Sequence, residues 1–282
     1  MKNRMMKNDG PPAPTLLGDT ATDLLGQEPQ QYVPTGLQAL DDLLVGVVHG
    51  EVTLIAARPS MGKTSLAMTI LENAASTGLM VGILSMEMGK RALAMRRLSG
   101  LAGVPISALR KNELNKRQQA QVAEAAKTLK ALPLYVDDRG GLTGDQAYDT
   151  LKAWHDMGIS LVALDYIQLM RGTNESRQVQ VGECIRAVKN AAVAFDMPLL
   201  VLSQVSRASS IREDKEPRLS DLRDSGELEQ VADTVLMLHY PNEDDKDEPE
   251  RICECFVRKQ RNGPTGVASL KFLQSETRFT DV

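Results

Sequence analysis

Between Ala57 and Ser65 the chain reads Ala57-Arg58-Pro59-Ser60-Met61-Gly62-Lys63-Thr64-Ser65. Residue types at this spacing can hold phosphate. An apolar run, Val52–Ala57, precedes the loop, and a segment of helical period, Lys63–Ala75, follows it. Backbone N–H groups of such a loop and of the helix start can cradle phosphate oxygens. Lys63 brings positive charge to the β- and γ-phosphates of a nucleotide, and the Thr64 hydroxyl can ligate Mg²⁺. Arg58, Ser60, Met61, Gly62 and Ser65 complete the set expected at the nucleotide. The string fits the Walker A pattern except at its first position, where Ala57 replaces Gly. The plainer alternative is a chance Gly-Lys-Thr at a helix start. By itself the loop says nucleotide binding and not to what end.

Other residues supply what hydrolysis requires. Leu161-Val162-Ala163-Leu164-Asp165 is a buried-type strand ending in a carboxylate. An acid at the C-terminal end of a parallel strand beside a phosphate loop holds Mg²⁺ through water, the Walker B arrangement. Glu87, in Leu84-Ser85-Met86-Glu87-Met88, ends another strand and can polarise an attacking water. A solvated strand-end Glu is the alternative. Gln204, after the strand Pro198–Ser203, is placed to sense a γ-phosphate, or simply to hydrogen-bond within its loop. Arg96 and Arg97 follow on the helix after Glu87; one is expected to face the nucleotide and one solvent, and periodicity does not choose. Near the C-terminus, Lys259 and Arg261 are two residues apart, so on a strand they share one face. Nothing within the chain obviously requires them. Exposed cations on a rigid tip can reach a neighbouring subunit's γ-phosphate as arginine fingers, worth on the order of 10³–10⁵ in rate. A basic turn for solubility or DNA phosphates is the alternative.

Elements of two kinds must position these groups. Apolar runs at Val52–Ala57, Leu79–Ser85, Leu134–Val136, Ser160–Asp165 and Pro198–Ser203 alternate with helical periods at Lys63–Ala75, Lys90–Gly103, Leu114–Leu132, Thr143–Met157 and Val179–Ala194. That alternation predicts an α/β fold with a mostly parallel sheet covered on both faces. Thr234–His239, Arg251–Val257 and Val267–Phe272 read as strands without intervening helices and predict antiparallel hairpins extending the sheet. The acidic stretch Asn242–Glu250 lies between them as a mobile tip. Residues 1–32 form a polar, Pro-rich arm and linker with a brief helix near Leu16–Leu25, and residues 33–282 form one globular domain.

Composition narrows the options. The 282 residues are 42% hydrophobic, ample for one core. No apolar run is long enough to span a membrane, and no secretory signal opens the chain. Three cysteines, Cys184, Cys253 and Cys255, make no disulfide framework. Cys253-Glu254-Cys255 lacks a second pair at metal-ligand spacing and reads as strand packing. A reducing, cytoplasmic setting follows. The net charge of −4 argues against a DNA binder that works through a basic stripe. Between Arg207 and Arg223 stand five cations (Arg207, Arg212, Lys215, Arg218, Arg223) and four acids (Glu213, Asp214, Glu216, Asp221), a balance typical of a solvated loop. DNA could nonetheless be held through local loops, or by repeating a small patch around a ring. Backbone N–H groups at Arg223–Gly226 could then take phosphates without basic side chains. With aromatics at 4%, stacking platforms are not expected.

These strings converge on a family. The chain resembles the motor domain of DnaB-type replicative helicases, a RecA-like P-loop NTPase. The matching segments are Ala56–Thr64, Ser85–Met88, Leu164–Met170, Leu202–Gln204, Ser220–Gly226 and Lys259–Pro264, in the family's order and covering about residues 33–280. Ala at the first Walker A position is usual there. The resemblance implies an ATP- and Mg²⁺-dependent homo-hexamer moving 5′→3′ on single-stranded DNA. By it, Glu87 is the catalytic base, Asp165 the Walker B acid and Gln204 the γ-phosphate sensor. Lys259 and Arg261 are trans-acting fingers, and Arg96 is the arginine on the nucleotide. Arg223-Asp224-Ser225-Gly226 is the DNA-following pore loop, with Arg207 nearby. The family commonly has Glu where Asp224 stands, which puts side-chain participation there in doubt. Family members carry an N-terminal helical domain before the linker; its absence here would remove the collar that binds primase and leave a helicase loader as a possible partner. Two rivals remain open from the residues: a RecA-like filament-forming recombination or repair ATPase, and an ATP-gated accessory module with negligible turnover.

Overall fold

The computed structural model describes Leu17 and residues 31–205, 216–242 and 248–282; the side chains of residues 223–225 are outside that description. The expected brief helix near Leu16–Leu25 (but for Leu17), most of the acidic tip, and Arg207, Arg212 and Lys215 therefore lie outside the described residues.

The strands in chain order are β1 (Tyr32–Val33), β2 (Val47–Val48), β3 (Val52–Ala57), β4 (Val81–Ser85), β5 (Leu134–Asp137), β6 (Leu161–Asp165), β7 (Leu199–Gln204), β8 (Thr234–His239), β9 (Glu250–Gln260), β10 (Gly266–Leu273) and β11 (Arg278–Asp281). The helices are α1 (Gln38–Leu44), α2 (Lys63–Ser76), α3 (Lys90–Ala102), α4 (Ile106–Lys111), α5 (Lys116–Ala131), α6 (Gly144–Asp156), α7 (Arg177–Ala194) and α8 (Gly226–Val231). Nine strands form one sheet in the order β11-β10-β9-β8-β3-β7-β6-β4-β5, and β1 pairs with β2 apart from it. Six strands, β8 through β5, run parallel. β9, β10 and β11 extend the sheet antiparallel.

Every residue of β3, β4 and β6 is buried. Such unbroken apolar runs require cover on both faces. One apolar cluster packs α1 and α2 against one face, with Leu66, Ile70 and Leu71 at its centre. A second packs α6 and α7 against the other, through Leu151, Ile185 and Val188. Helix starts follow local chemistry: Asn115 and Thr143 each close a capping box, with Gln118 and Gln146 respectively.

Three expectations are corrected. β8 was expected to belong to the antiparallel hairpins; it pairs parallel with β3 and antiparallel with β9, so the change of direction falls one strand later. Its entry is not loop alone, because a 3₁₀ helix at Leu219–Ser225 runs into α8 just ahead of it. The sheet also has a last strand, β11, too short to stand out as a period. Cys253 and Cys255 are free and fully buried in β9, where burial pushes the Cys253 thiol up to about 12. Among the described residues no helix is long and apolar enough to cross a membrane, and no group of three or more His, Cys, Asp or Glu could hold a metal ion.

Candidate nucleotide site and catalytic cations

The phosphate loop joins β3 to α2, so the first turn of α2 points its open N–H groups at the loop's concavity. Gly62 caps the helix with a φ of 87°, a left-handed conformation that favours glycine. A Cβ there would also meet the Phe279 ring at 3.1 Å, a tight contact that the ring would have to yield to. The Tyr240 hydroxyl donates to the Met61 carbonyl at 3.4 Å from the same side.

Lys63 is buried, its ammonium 3.5 Å from the Arg58 carbonyl. Burial pulls its pKa down, while Asp165 and Glu87 oppose the shift. The Thr64 hydroxyl donates to Asp165 Oδ2 at 2.7 Å. Asp165 is fully buried; burial pushes its carboxyl up against the stabilising Thr64 bond. Its Oδ1 has no hydrogen-bond partner. A buried carboxylate oxygen without a partner is costly. Beside a hydroxyl it fits the hydrated edge of Mg²⁺, which takes few protein oxygens and completes its shell with water and phosphate.

A cavity of about 490 Å³ opens over these groups. The loop supplies Pro59, Ser60, Gly62, Lys63, Thr64 and Ser65 to its wall. Glu87 and Met88, after β4, and Gln204, at the end of β7, line it too, as does Arg96 from α3. Arg58, Met61 and Asp165 do not line it; Met61 instead packs against the core beside α2. The turn bearing Glu87 is drawn in by the Ser85 hydroxyl, which donates to the Met88 carbonyl at 2.6 Å.

The arginine pair resolves differently from the expectation. Arg96 faces the cavity, but Arg97 does not face solvent. It is 4% exposed, and its Nε and Nη2 donate to Glu72 at 2.5 Å each. Its Nη1 donates to the Glu276 and Thr277 carbonyls at 3.0 and 3.2 Å. One helical step separates a cavity residue from a buried clamp.

Lys259 and Arg261 also depart from the expectation that nothing in the chain requires them. The Lys259 ammonium donates to the Glu229 carbonyl at 2.6 Å and the Ala232 carbonyl at 2.7 Å, completing the end of α8. Burial, then Arg261, pulls its pKa down. Arg261 Nη2 donates to the Gln230 carbonyl at 2.8 Å, and Nη1 lies 3.1 Å from Asp233 Oδ1. Spacing reveals only that the two cations share a face, and not which carbonyls that face meets. Of the DNA-loop expectations, Arg223 and Asp224 have their backbone in the 3₁₀ helix. Gly226 begins α8 with a φ of −51°, and a Cβ built on it would meet nothing within 4 Å.

Several site residues escaped the sequence. Gln168 holds Gln204 from two directions: its Nε2 donates to Ser203 Oγ (2.8 Å) and the Gln204 carbonyl (3.1 Å), and its Oε1 accepts from the Gln204 N–H at 3.1 Å. Phe272, Gln274 and Thr277, from the β10–β11 hairpin, form one wall of the cavity. A signal for Gln168 existed, since it lies in a segment that carries the resemblance; for the hairpin wall there was none.

An α/β domain with a phosphate loop after its central strand, a carboxylate two strands away and a polar amide at the end of the strand between them is a nucleotide-binding domain of the RecA-like kind. Residues 32–281 match the DnaB-like helicase C terminal domain family, and the chain belongs to it. It is similar to the Replicative DNA helicase DnaB of Leifsonia xyli subsp. xyli (strain CTCB07), 38% identical over 255 residues, which span 89% of this chain and 56% of that protein. It is likewise similar to the Replicative DNA helicase DnaC of Bacillus subtilis (strain 168), 35% identical over 256 residues with the same coverage. The chain thus spans about half the length of the curated relatives it matches. Among solved structures, one described as an ATPase domain superposes with a TM-score of 0.83 at 28% identity, covering 94% of this chain and 96% of that one. A DnaB-like replicative helicase, described with its interactions with primase, gives the same TM-score at 29% identity and covers 94% of this chain and 67% of its own.

Proposed function

We propose that this chain is the ATP-hydrolysing motor of a replicative DNA helicase, working as a homo-hexamer that moves 5′→3′ on single-stranded DNA in the bacterial cytoplasm. Lys63 and the α2 N-terminus bind the triphosphate, and Arg96 contacts it from α3. Thr64 and Asp165 would hold Mg²⁺, which when bound neutralises charge on the β- and γ-phosphates. Glu87 orients water for in-line attack and takes its proton. Gln204, fixed by Gln168, senses whether the γ-phosphate is present. In this reading a helicase loader is a partner, and primase contact is not assigned to this chain.

The observation that carries the reading is where Lys259 and Arg261 lie. The Arg261 N–H bonds the Asp233 carbonyl, and the Asp233 N–H bonds the carbonyl of Val52, the first residue of β3. The phosphate loop leaves the other end of β3, six residues on, so roughly 17 Å of strand separates the two. No arginine side chain spans that. If Lys259 and Arg261 act on a triphosphate, it is the one held by the adjacent copy, which makes the ring seam the active site. The DNA side rests on the segment between β7 and β8, where Arg207, Arg223, Asp224 and Gly226 belong. Gly226 has neither a left-handed backbone nor a close neighbour to require glycine, which suits a backbone approached by phosphates from outside the chain.

Replacing Arg261 with Ala should leave ATP binding intact while DNA-stimulated hydrolysis falls by on the order of 10³. Mixing these subunits with Lys63→Ala subunits should restore part of the activity, because each supplies what the other lacks. Normal hydrolysis by Arg261→Ala with DNA present refutes the trans arrangement.

A further inference from the structure

We infer that Asp233 is a positioning residue that aims Arg261 across the subunit seam, a role that rests on the trans reading above. Asp233 sits between α8 and β8 and is 3% exposed. Its backbone is fixed on both sides by the bonds to Val52 and Arg261 just described. Its carboxylate divides its two oxygens. Oδ2 accepts from the Val52 N–H at 2.8 Å and from Lys189 Nζ at 2.7 Å. Lys189 is itself held by the Gly50 carbonyl at 3.0 Å. Oδ1 is left to Arg261, at 3.1 Å. The carboxylate therefore cannot rotate without breaking bonds to two elements, β3 and α7. The guanidinium it meets is held against a rigid part of the sheet, not a mobile turn.

Two further features make this an aiming device instead of a neutralising one. Asp233 is shared with Lys189, so its carboxylate is not committed to Arg261 alone, and Glu51 and Lys259 also lie within electrostatic reach of Arg261. Arg261 also keeps donors. A guanidinium has five N–H donors, and among the described residues only Nη1 and Nη2 are engaged, by Asp233 and Gln230. The Arg261 side chain is 49% exposed, so its remaining edge faces outward. Glu51 lies in the same cluster and is occupied by Asn262, whose Nδ2 it accepts at 2.9 Å. Lys259 differs: its ammonium is engaged by the carbonyls that end α8. The geometry thus divides the labour, with Lys259 tying the strand to α8 and Arg261 presented outward by Asp233.

The test is a double-mutant cycle in the full chain with ATP, Mg²⁺ and a single-stranded oligonucleotide, comparing Asp233→Asn, Arg261→Ala and the pair. Asp233→Asn should lower kcat about tenfold, leave KM for ATP within about twofold, and add nothing on the Arg261→Ala background. Subunits carrying Asp233→Asn should regain activity when mixed with Lys63→Ala subunits, whose Arg261 is correctly held. Equal losses on both backgrounds, or a rise in KM that tracks a lower melting temperature, overturn the inference and leave Asp233 a structural residue. A fully active Arg261→Ala would instead sink the trans reading itself. Should Asp233→Asn not fold, Arg261→Lys asks the same question from the other side. It keeps the charge but loses the planar fork that Asp233 and the Gln230 carbonyl hold between them. A kcat as low as that of Arg261→Ala supports the inference, and recovery of half the parent activity overturns it.

Discussion

Replacing Arg97 with Met removes a guanidinium that joins three elements. Its bidentate bonds reach Glu72 on α2, and its third nitrogen reaches the turn between β10 and β11 through the Glu276 and Thr277 carbonyls and Thr277 Oγ1. The turn has no slack. Gly100, one turn further along α3, approaches it so closely that a Cβ there would sit 2.4 Å from the Glu276 carbonyl oxygen. Thr277 holds a φ of 48°, a left-handed conformation that a non-glycine residue adopts at about 1–2 kcal/mol. Removing one partner of a buried ion pair costs about 3–5 kcal/mol, because the other charge is left buried alone. For a domain of this size each kcal/mol lowers Tm by about 2–4 °C, giving a fall of about 6–20 °C. The turn also carries Gln274 and Thr277 into the nucleotide cavity. Losing two polar contacts of about 0.5–1.5 kcal/mol each should raise KM for ATP roughly tenfold. The double variant Glu72→Leu/Arg97→Met separates the two effects. It leaves no charge buried, so Tm should recover most of the loss, while the turn still lacks its anchor and KM stays high. Thermal unfolding by circular dichroism and steady-state ATPase kinetics read the two quantities. A single variant that melts within about 2 °C of the parent, or a double variant that restores KM along with Tm, refutes the clamp.

Other perturbations have equally definite outcomes. Asp165→Asn should bind ATP without Mg²⁺ about as well as the parent but lose the additional thermal stabilisation that Mg²⁺ brings to the ATP complex; at a hundredfold excess over Kd a ligand is worth about 2.7 kcal/mol, which a thermal-shift titration resolves easily. Gln168→Leu removes two hydrogen bonds to the Gln204 backbone and one to the Ser203 hydroxyl, and should lower kcat about tenfold with little change in KM, in keeping with a sensor that acts after binding. Gly226→Ala should be neutral to slightly stabilising for the fold, by about 0.4–1 kcal/mol, yet weaken binding of a fluorescent single-stranded oligonucleotide; unchanged DNA affinity would remove Gly226 from the interface.

The elements that carry the nucleotide groups were legible because each ends a long apolar run. β3, β6 and β7 are buried on both faces, so their hydrophobic composition marks them, and their last residues border the candidate nucleotide site. Lys63, Thr64, Asp165 and Gln204 could be read for that reason. What the sequence hides is lateral. Along the chain β4, β5 and the helices α2 to α6 come between β3 and β6, yet in the sheet only β7 separates them, and no period encodes that order. The β10–β11 wall is hidden for the same reason: Phe272 and Thr277 look like residues of an ordinary hairpin until α3 and the phosphate loop are set beside them. Arg97 shows the limit most sharply. It stands next to Arg96 and has the same chemistry, and its fate is decided by Glu72, 25 positions earlier on another helix.

The antiparallel extension makes sense once the two ends of the sheet are considered together. The candidate triphosphate-binding groups sit at the C-terminal ends of the parallel strands. The candidate trans-acting cations sit at the N-terminal end of β3, delivered there by β9, which runs back alongside β8. A further parallel strand beside β8 would reach that edge only with its first residues, whereas antiparallel β9 ends there and carries the cations at its C-terminal end. Reversing direction at β9 thus places the candidate nucleotide site and the candidate trans-acting cations at opposite edges of one sheet. α8 joins the second edge to the 3₁₀ helix Leu219–Ser225, because Lys259 bonds the last carbonyls of α8. Movement of Arg261 toward or away from a neighbouring γ-phosphate would pull on the same helix end that the candidate DNA loop leads into. If hydrolysis at a seam drives displacement of DNA as proposed, the shortest physical route between them runs through β9 and α8, and it does not pass through the chain's own phosphate loop.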